Sequence, residues 1–126
     1  MTGFSGGNEK EMISVAKSRF VRISPYKLRS IVDGIRGKGL GDALLWLKVQ
    51  RMQRIVPVLK TLQSAWANAR DKDPSFGEVE KLTVALAKVD QGPTFRYHKP
   101  GAMGRSVIQR KRLCHIEIGL SAKQLK

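Results

Sequence analysis

The chain has 126 residues, with 24 Lys and Arg against 10 Asp and Glu, two His and a single Cys. A formal charge of +14 at pH 7 repels itself in any compact body, and ~8 Å of screening only partly relieves it, so a polyanionic partner is expected. Hydrophobic residues make up 41%, too many for a wholly disordered basic tail, and the length allows one domain with a modest core but not two.

Residues 1–12 read as a mobile tail. They are rich in Gly and Ser and lack both the apolar segment of a secretory signal and the Arg-rich amphipathic character of a transit peptide. Residues 13–126 then form one domain, opening on a candidate strand at 14–23. Ser24 followed by Pro25 is a helix start, a hydroxyl to cap free amides and a proline where no backbone bond is lost. The helix should run over 25–36, with Leu28, Ile31, Val32 and Ile35 on one face. Gly37 and Gly39 punctuate. Leu40, Ala43, Leu44 and Leu47 form a second, short stripe, with Asp42 in its first turn where the helix dipole favours an acid.

A third helix is expected over 50–69, because Met52, Ile55, Leu59, Leu62, Ala65, Trp66 and Ala69 repeat at helical spacing; Pro57 should kink it, the other reading being that the helix proper begins at Pro57. Residues 71–77 are the exit loop. Beyond it the period changes: residues 82–89 are rich in Val, Leu and Ala, and Cys114, Ile116, Ile118 and Leu120 alternate with His115, Glu117 and Gly119, so both segments read as strands. Between them, residues 90–112 carry turn formers (Gly92, Pro93, Pro100, Gly101, Gly104) and six basic residues, with no acid after Asp90. Arg110, Lys111 and Arg112 are consecutive, so an extended chain points charge from both faces and leaves none to lie on a core. The segment should project as an arm, a hairpin of roughly 30 Å. A ribbon of that kind is marginal in water, so the arm is expected to order around a polyanion.

Charge is unevenly placed. Residues 13–38 hold seven basic residues against one acid and residues 91–126 hold eight against one, while residues 39–90 hold eight against six. Two basic flanks therefore enclose a near-neutral centre, where a solvated surface would mix its signs.

Catalytic arrangements are missing, and no enzyme activity is expected. Asp71, Asp73, Glu78 and Glu80 surround a Pro/Gly loop and read as caps; Gly37 and Gly39 lack the context of a phosphate-binding motif. Cys114 and His115 are neighbours on a strand and so point to opposite faces, a buried thiol beside an outward ring. Trp46 and Trp66 fall on apolar stripes and read as core. One cysteine cannot form an internal disulfide, and with His98 and His115 it falls short of a four-ligand zinc site, so neither metal nor cofactor is expected, in a reducing compartment. The longest apolar runs, 84–87 and 43–47, fall far short of the ~20 residues that cross a bilayer, and no membrane partner is expected.

Four strings, VRISPYKLRSIVDGIRGKGLGDALLWLK (21–48), SAWANA (64–69), VDQGPTFRYHKPGAMGRS (89–106) and KRLCHIEI (111–118), together resemble the ribosomal protein twenty-two family of the large subunit. That resemblance implies an α+β fold of three helices packed on a three-stranded antiparallel sheet with a long protruding β-hairpin arm. It implies binding to large-subunit rRNA beside neighbouring ribosomal proteins, with the arm lining the nascent-peptide exit tunnel and its tip near the nascent polypeptide, and no homo-oligomer. Lys27 and Arg29 match the family's basic positions on the first helix, Arg96, Lys99 and Arg105 fall in the arm, and Lys111, Arg112 and His115 match the returning strand. With Lys17, Arg19, Arg22, Arg36, Lys38 and Arg110 from the basic flanks, these are the expected rRNA-binding residues. Tyr97, His98, Pro100, Gly101, Met103 and Gly104 are the expected arm tip. Tyr26, Gly101 and Met103 stand where the family commonly has basic residues, which should weaken the grip on phosphate there. Pro57 and Cys114 look like the plastid and cyanobacterial branch, and a chloroplast ribosome is expected, with the bacterial cytoplasm as alternative. The rival reading is a DNA-binding helix-turn-helix over 25–47, disfavoured because its second helix has no polar base-reading face.

Overall fold

The computed structural model describes residues 12–122. In chain order they form strand β1 (Met12–Val21), helices α1 (Pro25–Ile35), α2 (Leu40–Val49) and α3 (Ile55–Lys72), two short 3-10 turns (Pro74–Gly77, Val79–Lys81), and strands β2 (Leu82–Pro100) and β3 (Ser106–Ala122). The strands make one antiparallel sheet in the order β1-β3-β2. Apart from Met12, which opens β1, the tail expected over residues 1–12 lies outside the described residues.

The helices cover one face of this sheet. α1 buries Pro25, Leu28, Ile31, Val32 and Ile35, the stripe read from the sequence, and α2 buries Leu40, Ala43, Leu44 and Leu47. They meet Val84, Ala87, Cys114, Ile116, Ile118 and Leu120 from the strands in one apolar cluster, completed by Ile55, Val58, Leu62, Ala65 and Ala69 of α3. Burying that set is the main favourable term in folding a chain of this size. The α1–α2 link is tied to the sheet: Gly37 N–H donates to Val84 O at 3.0 Å and Val84 N–H to Lys38 O at 2.9 Å. Gly37 turns the chain there with φ +82°, a region open to glycine without cost.

Three local expectations are corrected. Ser24 has the extended backbone of an N-cap, but its hydroxyl makes no capping bond; its carbonyl instead accepts Lys27 N–H at 3.1 Å, and Pro25 starts the helix by φ restriction alone. Pro57 does not kink a helix over 50–69. α3 starts at Ile55, which puts Pro57 in the first turn, where a missing N–H removes no intrahelical bond. Trp46 and Trp66 are half-buried against the core rather than within it. Lys38 lies 4.9 Å over the Trp46 ring and Arg70 4.7 Å over that of Trp66, while Trp66 Nε1 donates to Phe76 O at 3.2 Å.

The two later strands run without a break from body into arm. Gln91 pairs with Cys114 and Thr94 with Arg112, so Gly92 and Pro93 oppose Leu113 alone. This bulge marks where the arm leaves the body. A Cβ on residue 92 would lie 3.1 Å from Leu113 O, and Pro93, without an N–H, is tolerated on an edge strand. The ribbon is paired along its whole length, from Thr94–Arg112 to Pro100–Ser106. Cross-strand neighbours such as Phe95 with Lys111 and Tyr97 with Gln109 support the ladder. The end is closed by Gly101 N–H donating to Arg105 O, with Met103 (φ +57°) and Gly104 (φ +76°) turning the chain. No residue from 90 to 112 belongs to the core cluster.

Candidate nucleic-acid interface

Because Val21 pairs with Cys114, β1 delivers Arg22 beside the root of the arm, and the buried Pro25 then fixes the first turn of α1 against the body. Arg22, Ile23, Ser24 and Lys27 form one wall of a cleft, Arg110, Lys111 and Arg112 another, and Met52, Gln53 and Arg54 from the α2–α3 loop the third. The cleft measures about 930 Å³ and is lined by six cationic residues with no acid among them. Like charges gathered this way destabilise the free protein and are relieved by an anion that bridges them. Five of the six are expected from the sequence. Arg54 is not, since it lies in the near-neutral centre; the available signal was that residues 50–54 carry Arg51 and Arg54 without an acid.

The ladder register sorts the arm into two faces, because directly opposed residues share a face and successive ones alternate. Arg96 with Arg110, Thr94 with Arg112 and His98 with Ile108 occupy one face. Phe95 with Lys111, Tyr97 with Gln109 and Lys99 with Val107 occupy the other. The first is an arginine face and the second mixes aromatic, aliphatic and lysine side chains, with Lys99 5.9 Å over the Tyr97 ring. The tip from 100 to 104 has no charged residue and presents Met103 almost wholly, at 99% exposure.

The remaining basic positions divide by what they touch. Arg19, Arg29 and Arg105 are exposed, Arg29 lying 5.6 Å over Tyr26 on the outer side of α1. Lys17 is 3.4 Å from Glu117, and Lys38 is stacked on Trp46. Arg36 is engaged within the molecule: it lies 2.7 Å from Asp33, and its Nε donates to Ala87 O at 3.0 Å, tying the end of α1 to β2. Replacing Arg36 with Ala should cost about 1 kcal/mol, the upper part of a charged hydrogen bond being lost to its half-exposed setting. A urea melt would read this, with the salt dependence of RNA binding unchanged; a flattened dependence would put this guanidinium on phosphate instead.

On the sheet face away from the helices, burial pushes the Glu117 carboxyl up, but hydrogen bonds and charge from Lys88 and Lys17 outweigh it and hold the group below its ordinary 4.5. A carboxyl lowered in the folded state stabilises it fully above the unfolded value, and that contribution is lost as pH falls through the folded value. Glu117→Gln should therefore be less stable than wild type near neutrality, and the two melting curves should converge as the pH is taken from about 6 to 3. Parallel curves throughout would remove this ion pair from the acid response.

Cys114 is buried, and desolvation raises its thiol above the ordinary range despite Arg29 acting the other way, so it is a core side chain and no nucleophile. His115 faces outward, as the alternation requires, and its Nδ1 accepts Phe20 N–H at 3.1 Å. Asp73 accepts Ser75 N–H at 3.0 Å, and that bond lowers its carboxyl pKa. Among the described residues there is no group of three or more His, Cys, Asp or Glu able to hold a metal, and no helix long and apolar enough to cross a membrane.

A cation-lined cleft at the root of a basic ribbon is the arrangement expected of a nucleic-acid-binding protein. Residues 16–121 match the family described as ribosomal protein L22p/L17e, and the chain belongs to that family. The large ribosomal subunit protein uL22 of a Synechococcus strain is 40% identical over 111 residues, spanning 86% of this chain and 90% of that protein. The uL22 of Desulfitobacterium hafniense is 44% identical over 109 residues, 86% of this chain and 94% of that protein. The uL22c of Chlorokybus atmophyticus is 42% identical over 112 residues, 88% of this chain and 90% of that protein. The family comprises structural ribosomal components, so the chain is not an enzyme. Cyanobacterial and chloroplast relatives stand beside relatives from other bacterial lineages at similar identity.

Proposed function

We propose that the chain is a structural constituent of the large ribosomal subunit that grips large-subunit rRNA through the cleft and the arm. The observation that carries this reading is the convergence of Arg22, Lys27, Arg54, Arg110, Lys111 and Arg112 on one acid-free cleft. Lys and Arg on phosphate displace counterions, and the shape of the cleft and arm, rather than base edges, sets where the protein sits. The arginine face of the arm continues this surface outward, and Arg96, Lys99 and Arg105 extend it toward the tip. The uncharged tip, with Tyr97, His98, Pro100, Gly101, Met103 and Gly104 near or on it, suits a lining of the nascent-peptide exit tunnel, where a passing polypeptide should not be held by charge. Neighbouring large-subunit proteins are the remaining partners, and the protein acts as a single copy. We place it in the chloroplast ribosome, with the bacterial cytoplasm as the alternative.

Co-sedimentation of tagged protein with plastid or bacterial ribosomal subunits on a high-salt gradient tests the reading. Stable residence in the large subunit is expected. Release from subunits with retention on duplex DNA would favour a helix-turn-helix instead, although α2 offers such a reader only Asp42, Leu45, Lys48 and Val49 on its exposed side.

A further inference from the structure

β1 shifts register against β3 twice, between Met12 and Ser14 and again between Ser18 and Val21. Ser14 and Ala16 are buried and Ser18 is next in line, so a regular strand would turn Phe20 into the core after them. Ser18 instead pairs with Ile116 and Val21 with Cys114, which leaves Arg19 and Phe20 together opposite the single residue His115. Val21 takes the core position, and Phe20 is turned outward at 59% exposure. Its φ is +57°, a region in which a bulky side chain is strained. A bulge re-aims a side chain, and here it moves a phenyl ring from a core position into solvent, against the hydrophobic effect. Strain of this kind persists where surroundings hold it, and it clusters at functional sites.

His115 does the holding. Its Nδ1 accepts Phe20 N–H at 3.1 Å, and the two rings meet edge to face, with centroids 5.1 Å apart and planes at 90°. A single edge-to-face contact leaves at least one face of the phenyl ring uncovered. The acids of the surrounding groove are Glu117 and Asp90. Glu117 is neutralised by Lys17 at 3.4 Å and Lys88 at 3.1 Å, and Lys88 lies 3.8 Å from Asp90. Arg19 lies beside Phe20 in this groove and Arg22, two residues on, lines the neighbouring cleft, neither with an ion pair among the described residues.

We infer that Phe20, set outward by the bulge and held by His115, is a stacking platform for one unpaired base of the bound RNA, with Arg19 and Arg22 on the phosphates either side. Unpaired bases are recognised by stacking on aromatic rings, and every base has a π face to offer. The platform lies on the sheet face away from the helices, so it carries the RNA surface around the end of β1 from the cleft that Arg22 lines. His115 is here a positioning residue. This inference rests on the rRNA reading above and adds a contact that charge does not supply.

The test compares wild type, Phe20→Leu and Phe20→Tyr for binding to an in vitro transcript of cyanobacterial large-subunit rRNA over a salt series. Leucine keeps bulk and apolarity and removes the π face. Stacking is worth about 1–3 kcal/mol per base, so Phe20→Leu should bind roughly 5- to 150-fold more weakly with an unchanged slope of log K against log salt, while Phe20→Tyr binds as wild type. Irradiating the wild-type complex with short-wavelength ultraviolet light should leave a nucleotide adduct on Phe20, a readout that a merely structural ring would not produce. Wild-type binding by Phe20→Leu, or an adduct-free Phe20, would overturn the platform. So would a variant that binds bare rRNA normally but fails to retain a neighbouring ribosomal protein, since the ring would then be a protein contact. If wild-type protein itself failed to bind the transcript, the rRNA reading would fall first.

Discussion

Raising salt from about 50 to 200 mM should weaken binding of the wild-type protein to large-subunit rRNA on the order of 10³-fold. Each phosphate neutralised contributes roughly 0.7–0.9 to the slope of log K against log salt, and the cleft alone brings six cations to bear. Replacing Arg110, Lys111 and Arg112 together with alanine should flatten that slope by roughly 2–3. The helical circular dichroism should stay as in wild type, because none of the three belongs to the core. The opposite walls supply an independent arm of the experiment: Arg22, Lys27 and Arg54 replaced together should flatten the slope by a similar amount, although they lie far from the first three in sequence. A filter-binding or anisotropy titration at several salt concentrations reads both. An unchanged slope in either variant would mean that the cleft does not hold phosphate, and an unfolded variant would mean that these side chains serve the body instead.

Ile118→Ala should be the most damaging single truncation outside the interface. Ile118 is fully buried on the central strand and is flanked in the ladder by Ala16 on one side and Ala87 on the other, two residues too small to move into the space it would leave. Truncations of this type cost about 2–5 kcal/mol, toward the upper end where the site cannot collapse. Against a total stability of about 5–15 kcal/mol, the melting temperature should fall by more than ~10 °C. Ile108→Ala is the internal control. It makes the same chemical change on the same strand, but in the arm, where the side chain is exposed, and the effect on stability should stay within about 0.5 kcal/mol. Equal losses at the two positions would mean that arm and body unfold as one cooperative unit. A thermal melt of each variant decides it.

The parts of this architecture visible in the sequence are those encoded by periodicity in one stretch of chain. Leu28, Ile31, Val32 and Ile35 announce α1, and the alternation around Ile116 and Ile118 announces β3. The arm is visible for the converse reason, since a run such as Arg110 to Arg112 cannot present an apolar face to a core. What the sequence hides depends on partners distant in the chain. Pro57 has one meaning inside a helix and the opposite meaning in its first turn, and only the position of Ile55 decides between them. Arg36 counts as surplus charge until its bond to Ala87, 51 residues away, is seen. Arg54 joins the interface only because its loop is folded against the arm root. Strict alternation places Phe20 inside; the register with β3 places it outside. Site residues are thus least legible where a bulge or a loop, rather than a period, sets their direction.

The link between α1 and α2 closes the outer edge of β2 along the body, through Gly37, Lys38 and Val84. Farther out there is no such cover: past Val21 and Cys114, among the described residues, no strand pairs with the outer edge of either arm strand. Such a ribbon exposes two rows of free amides and carbonyls, a template on which a second ribbon could add. Repulsion between arms with no acid beyond Asp90 works against pairing of two copies, so the arginines proposed to engage phosphate would also act as gatekeepers against self-assembly. The same cations therefore guard newly made protein before its RNA arrives, and neutralising them without supplying that RNA removes the guard while leaving the edges open.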